Sequence, residues 1–284
     1  MTQQTANPEN IITFQGELGA YSHMAARAKF PDMEVMPCAS FEDALAAVKR
    51  GRARLAMIPI ENSTAGRVAD IHILLPGSGL FIIGEHFEPI RHCLLATKDA
   101  NLETIERVTS HVQALGQCRR TLIDMGVTRE AFADTAGSAR HVAELNDNSL
   151  AGIASSLAAE VYGLKIIQEN LQDEGDNTTR FVVLASEPNS VSALSGELMT
   201  SFTFEVKNVP AALYKALGGF ATNMVNMTKL ESYYESDSFT ATEFFADIVG
   251  HDGMENVARA MEELRFHTKR VNVLGTYQTE RSRS

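Results

Sequence analysis

The stretch Asp176-Asn-Thr-Thr-Arg-Phe-Val-Val-Leu-Ala185 sets two threonines and an arginine directly against an apolar run. Phe181–Ala185 has the composition of a buried strand, so the polar residues sit at its N-terminal end. One reading makes them a turn and strand lead-in. The other makes them the mouth of a site, with a hydroxyl donor beside a fixed cation. The rest of the chain decides between the two.

Upstream, strand-like and helix-like segments alternate as far as residue 185. Ile11–Phe14 reads as a strand followed by the turn-rich QGELG, and a helix is expected from Ser22 to just before Pro31. Ser40-Phe-Glu-Asp43 has an N-cap with an acid three positions on, and Gly51 closes that helix. Leu55–Ile60 leads straight into Glu61-Asn62-Ser63, and LFIIGE and RHCLLAT suit neighbouring or crossing strands. The pattern then repeats. A strand Arg107–Thr109 precedes a helix Ala114–Met125, and Ala131–Ala133 precedes a helix Ser138–Leu145. Leu150–Ala154, a helix through Ala159, LKIIQENLQD and RFVVLA follow. This order implies α/β architecture with largely parallel sheets.

Glu187–Glu197 is rich in turn formers and reads as a linker. Beyond it SFTFEV, AALYKALGGFA, MTKLESYY, FTATEFFADIVG, MENVARAMEELRFH and RVNVLGTY give βαββαβ, with ESD as a turn. That is the ferredoxin-like order, so residues 198–280 are expected to form a small separate domain.

The 284 residues are 44% hydrophobic and 21% charged, the balance of an ordinary globular chain. A net charge of −11 argues against a nucleic-acid binder, which needs a basic face. No apolar run is long enough for a membrane span, and the polar start MTQQTANPEN is no secretory signal, so a cytoplasmic location is expected. Cys38, Cys93 and Cys118 are expected to be free thiols. Neither cysteine nor histidine spacing suggests a metal site.

In open α/β sheets ligands settle at the carboxyl ends of strands. Those ends carry Gln15, Tyr21 and Ser22; then Glu61, Asn62 and Ser63; then Ser110, Gln113 and Gln117; then Asp134, Thr135 and Ser155. Taken singly, each hydroxyl fits a helix cap or turn, as do Ser22, Ser63, Ser138 and Ser155. His111 is a base only if something positions it. Together they describe a hydrogen-bonding cleft without a nucleophile elbow, metal motif or nucleotide loop. Such a cleft suits carboxylate binding or an elimination in which a donor helps hydroxide leave.

In order along the chain, FQGELGAYSHMAA, PIENSTAG, TSHVQALGQCRRTL, AGIASSLAAEVYGL and NTTRFVVL resemble the signature blocks of prephenate dehydratase. NVPAALYKALGGFA and VNMTKLES are similar to its appended ACT regulatory domain. The resemblance covers residues 11–278. It implies a two-lobed catalytic region, 1–186, like a type II periplasmic binding protein. One lobe would take about 11–90 plus 175–186, and the other about 91–174. It implies conversion of prephenate to phenylpyruvate without a cofactor, with L-phenylalanine as effector of a homodimer or homotetramer. By position, Thr179, Arg180 and Phe181 correspond to the catalytic motif, with Arg180 expected on a substrate carboxylate or paired with Asp173, Glu174 or Asp176. Tyr21, Ser22, Glu61, Asn62, Ser63, Ser110, Gln117, Thr135 and Ser155 are the expected substrate contacts. Ala211, Ala212, Leu213, Asn226, Glu231 and Ser232 are the expected phenylalanine contacts, between paired subunits. The chain departs from the family at Val112 (usually proline), Ala211 (usually glycine), and Tyr233 and Tyr234 (usually arginine and proline). Arogenate dehydratase and a non-catalytic amino-acid or keto-acid sensor are the alternatives.

Overall fold

The computed structural model describes residues 7–234 and 241–283, so the expected ESD turn lies outside the described residues. The first segment runs β1 (Ile11–Gln15), α1 (Tyr21–Lys29), β2 (Glu34–Cys38), α2 (Phe41–Lys49), β3 (Leu55–Asn62), a two-residue β4 (Gly66–Arg67), α3 (Ala69–Leu74) and β5 (Phe81–Pro89). As expected, Ser40 caps α2 by accepting from Asp43 N at 3.1 Å. These strands form a sheet in the order β2-β1-β3-β11-β5, with β11 (Thr178–Ala185) returning from far along the chain.

Between β5 and β11 the chain leaves for a second sheet. Its elements are β6 (Cys93–Ala96), β7 (Arg107–His111), α4 (Val112–Gln117), α5 (Arg119–Asp124), β8 (Thr128–Phe132), α6 (Thr135–Leu145), β9 (Leu150–Ala154), α7 (Ser156–Tyr162) and β10 (Lys165–Gln168). The order is β10-β6-β9-β7-β8. The single helix expected over 114–125 is broken at Cys118, and LKIIQENLQD is extended only over Lys165–Gln168. The two lobes are therefore joined by two crossings, one after β5 and one before β11.

Both sheets are mixed, which corrects the expectation of largely parallel ones. β1 pairs β2 and β3 in parallel, and β7 pairs β8 and β9 in parallel. β11 is antiparallel to β3 and β5, and β6 is antiparallel to β9 and β10. Strands that follow a crossing enter the sheet from its opposite end, so they run against the rest.

The C-terminal region is β12 (Leu198–Val206), α8 (Ala212–Thr222), β13 (Met227–Tyr234), β14 (Ala241–Val249), α9 (Glu255–His267) and β15 (Thr268–Gln278). Its antiparallel sheet has the order β13-β14-β12-β15, the expected ferredoxin-like fold. Phe202, Phe204, Phe220 and Leu264 belong to the core between one sheet face and the helices. The other face docks on the first lobe. Ile82, Val182 and Leu184 share a buried cluster with Phe245, Leu274 and Tyr277. Gly275 sets the spacing of that contact, because a Cβ there would lie 2.1 Å from the Ile82 carbonyl oxygen. Each such apolar side chain contributes about 1.5–3 kcal/mol on full burial, which makes the domain seam part of the protein's core.

Candidate active site

The two crossings and the strand ends of both lobes enclose a cavity of about 250 Å³. A second cavity of about 380 Å³ adjoins it, and Gln113, Gln117 and Asn177 border both. Thr179 and Phe181 project into the first from β11, and Asn62 reaches it from the end of β3. Tyr21 and Ser22 line it from the start of α1, Gln117 from α4 and Thr135 from α6. These seven expected site residues come together.

A fixed hydrogen-bond set surrounds Thr179. The Asn62 side-chain oxygen accepts from the amides of Thr64 (3.0 Å) and Ala65 (2.8 Å), which fixes how its carboxamide is turned. Its Nδ2 then donates to Asn177 Oδ1 (2.6 Å) and Thr179 Oγ1 (2.9 Å). Thr179 is 8% exposed and its hydroxyl accepts this bond, while its own proton has no acceptor among the described residues. Asn177 Nδ2 is buried and also lacks a partner there. Nearby, no side chain caps α1, so its first-turn amides at Tyr21 and Ser22 are left for an anion or water at the cleft wall.

Across the cleft His92 joins Tyr21 to Gln117. Its Nδ1 lies 2.8 Å from Tyr21 Oη and its Nε2 lies 2.8 Å from Gln117 Oε1. Burial lowers the His92 pKa, and the bond to Gln117 opposes it only in part. Burial also pushes the Tyr21 phenol well up. Sequence reasoning missed His92 and Asn177. Both lie in the crossings, His92 directly before β6 and Asn177 directly before β11, where nothing local tells which way a side chain faces.

Several expected site residues stand elsewhere. Arg180 does not meet the cleft. It is 2% exposed on the opposite face of β11, where its guanidinium pairs with Glu61 (2.8 Å), Glu85 (2.8 Å) and Asp247 (2.6 Å). It also donates to Tyr277 Oη at 2.7 Å, and none of Asp173, Glu174 or Asp176 is its partner. Glu61 follows Arg180, because the two are cross-strand partners, and its carboxylate also holds Lys229 at 2.6 Å. Burial raises the Glu61 pKa, but Arg180 and Lys229 outweigh it and hold it at about 2. Ser63 ties the return crossing to β3 by accepting from Thr178 N at 2.9 Å. Ser110 is fully buried and donates to the Ile153 carbonyl at 2.7 Å. Ser155 caps α7 and donates to the Gly19 carbonyl of the other lobe at 2.5 Å. That second contact is close, since a Cβ on Gly19 would sit 2.7 Å from Ala158 Cα.

In the C-terminal domain Ala211 has φ +61 and precedes α8, so a non-glycine residue occupies a left-handed position. Ala212 and Leu213 turn toward that domain's core. Glu231 pairs with Lys229 and Arg67, and the Ser232 carbonyl accepts from Arg67. Asn226 lies apart from Ala211 within one chain. Its carbonyl accepts from Val249 N, at the Met199 end of the sheet, whereas Ala211 follows the Val206 end. Within one chain Asn226 and Ala211 are therefore at opposite ends of the domain.

Residues 12–189 match the family model described as PDT, prephenate dehydratase. The chain belongs to the prephenate dehydratase family. It is 45% identical over 271 residues to a bifunctional N-acyl-homoserine lactone acylase/prephenate dehydratase of Komagataeibacter europaeus, covering 95% of this chain and 96% of that one. It is 42% identical over 233 residues to arogenate dehydratase/prephenate dehydratase 2 of Arabidopsis thaliana, covering 82% of this chain and 61% of that one. Among solved structures, prephenate dehydratase in complex with L-Phe from Arthrobacter aurescens superposes with a TM-score of 0.85 at 30% identity, covering 94% of this chain and 89% of that one. At that coverage the superposition takes in both lobes and the C-terminal domain. Among the described residues no cluster of His, Cys, Asp or Glu is arranged to hold a metal, and no helix is long and apolar enough to cross a membrane.

Proposed function

We propose that the chain converts prephenate to phenylpyruvate, carbon dioxide and water, a step of L-phenylalanine biosynthesis, and that L-phenylalanine regulates it through the C-terminal domain. The observation that carries the first part is the state of the Thr179 hydroxyl. Asn62 fills one of its lone-pair positions, so its proton is free to be given to a ligand in the cleft.

Prephenate carries a carboxylate and a pyruvyl group on one ring carbon and a hydroxyl on the carbon opposite. When the ring carboxylate leaves as carbon dioxide, the electrons of that C–C bond pass into the ring. The C–O bond opposite breaks and takes its electron pair with the oxygen. The Thr179 hydroxyl gives its proton to that oxygen, which leaves as water, Thr179 regains a proton from solvent, and the ring becomes aromatic. The ring is the electron sink, so the step needs no cofactor. A donor aimed at the departing oxygen is worth most in the transition state, where charge develops there. Asn177 Nδ2 and the uncapped start of α1 are placed to orient the substrate oxygens.

The L-phenylalanine reading rests on the Arthrobacter aurescens complex and on the loop at Ala211–Leu213 with Glu231 and Ser232. A site between paired subunits requires at least a dimer. Arogenate differs from prephenate only in bearing an amino group in place of the side-chain keto group, and the plant relative is named for both substrates. One ultraviolet assay tests the proposal: purified protein with prephenate, then with arogenate, each with and without L-phenylalanine. Turnover of prephenate that falls on adding L-phenylalanine is the expected result. Turnover of arogenate alone overturns the substrate, and a rate indifferent to L-phenylalanine overturns the regulation.

A further inference from the structure

The cleft lacks a charge that its proposed ligand needs. Among the described residues no lysine or arginine lines the 250 Å³ cavity, yet prephenate enters with two carboxylates. Arg180 is spent on the far face of β11. Arg120 borders only the adjoining cavity, where it is tied to the carboxylate and carbonyl of Asp173. The lining groups able to become cations are His92 and His111. His111 Nδ1 accepts from Gln113 N as the cap of α4, a bond that protonation there would remove.

His92 has the opposite bonding pattern. Tyr21 Oη lies 2.9 Å from the Arg91 carbonyl and 2.8 Å from His92 Nδ1, so its single proton serves one of them at a time; the carbonyl can only accept, and takes it whenever Nδ1 carries its own proton. Oη then offers His92 Nδ1 a lone pair, while Gln117 Oε1 offers another to Nε2. A neutral imidazole donates once, whereas an imidazolium donates twice. Only the imidazolium makes every one of these bonds at once. A neutral ring instead requires Tyr21 to turn its proton away from Arg91, or Gln117 to turn its carboxamide over.

We propose that His92 takes up a proton as the dianionic substrate binds and so supplies the positive charge under it. This goes beyond the function proposed above and rests on it. In the empty cleft burial disfavours the charged ring, and no carboxylate is among its hydrogen-bond partners. The groups facing it are the Tyr21 phenol from α1, the Gln117 carboxamide from α4 and the Gln172 carboxamide, which holds its backbone amide at 2.9 Å. The thiols next in the chain or next to Gln117 are neutral too, with burial pushing Cys93 up to about 11 and Cys118 up to about 12. Glu88 acts on Tyr21 from β5, but its carboxylate is engaged by His86 at 3.1 Å. An arriving carboxylate reverses the balance, because an opposite charge close by favours the charged form. Linkage then makes substrate affinity depend on proton concentration.

Steady-state kinetics on the intact protein with prephenate, from about pH 6.5 to about pH 9, test this. The expected result is a wild-type KM that rises by up to about tenfold per pH unit while kcat changes far less, since His92 stays protonated in the complex. His92→Gln and His92→Asn should raise KM at the acid end and flatten its pH dependence, and His111→Gln should keep the wild-type slope. A wild-type KM that does not change with pH overturns the proposal, whether or not the variants fold. So does a slope that survives in His92→Gln or disappears in His111→Gln. Absence of prephenate turnover at every pH overturns the function and this proposal together, whereas turnover with a flat KM overturns this proposal alone.

Discussion

Thr179 and Arg180 are neighbours on β11, and their side chains leave the strand on opposite faces. Thr179 Oγ1 accepts from Asn62 in the cleft, while Arg180 Nη1 lies 2.6 Å from Asp247 of the C-terminal domain. Their cross-strand partners on β3 divide the same way, Thr179 beside Asn62 and Arg180 beside Glu61. One short strand thus joins the proposed proton donor to the domain proposed to sense the product's amino acid.

That geometry makes the Arg180 cluster a stabilising joint. Arg180, Lys229 and Arg283 balance Glu61, Glu85 and Asp247, with Arg283 on Glu85 at 2.7 Å. Removing one partner leaves a buried charge uncompensated. Asp247→Ala should therefore lower unfolding stability by about 3–5 kcal/mol, read by urea denaturation. Tyr277→Phe removes one hydrogen bond to Arg180 and should cost about 1.5–3 kcal/mol. A loss under about 0.5 kcal/mol for Asp247→Ala contradicts the joint.

At the same seam His72 is 2% exposed, and neither ring nitrogen makes a hydrogen bond. It packs edge-on against Phe245, with ring centroids 5.0 Å apart. Burial, then Lys229, lowers its pKa from 6.5 to about 4, against smaller opposing effects of Glu231 and the Ile60 carbonyl. The unfolded chain therefore binds a proton from about pH 6.5 downward that the folded chain refuses until about pH 4. Stability is full above that window and falls across it, by about 3 kcal/mol in all. His72→Leu should remove this loss, because leucine takes up no proton in the unfolded chain. Parallel stability–pH curves for the two proteins contradict it.

Ala211 holds φ +61 ahead of α8. Left-handed backbone costs an alanine about 1–2 kcal/mol and a glycine little. Glycine, however, frees the unfolded chain by about 0.4–1 kcal/mol. Ala211→Gly should therefore raise the Tm slightly, and a clear drop contradicts the strain.

Much of the fold was legible in the sequence because it is written in periodicity. The alternation through Ala185 and the βαββαβ order after the linker both stand. Strand direction is not written locally, which is why the sheets expected to be largely parallel are mixed. The sequence presents Arg180 beside Thr179, which suggests a shared place in the cleft. On a strand, though, adjacent side chains point to opposite faces, so Thr179 and Arg180 cannot both look into the site, and the same holds for Asn62 and Glu61. Ser110 and Ser155 carry the hydroxyls a site uses, but their acceptors, Ile153 and Gly19, come from 43 and 136 residues away. His92, inside the strand-like RHCLLAT, and Asn177, inside NTTRFVVL, have no local feature that marks them as facing the cleft, because the tertiary path of the two crossings aims them there.

The central claim is that Thr179 delivers the proton to the departing hydroxyl. It is tested most directly by the kcat of Thr179→Ala and Thr179→Ser with prephenate. Thr179→Ser should keep activity within about tenfold of wild type. Thr179→Ala should lose about 10²–10³ in kcat, the usual cost of one lost transition-state donor, with little change in KM. A Thr179→Ala enzyme that turns over at near wild-type rate would contradict the account.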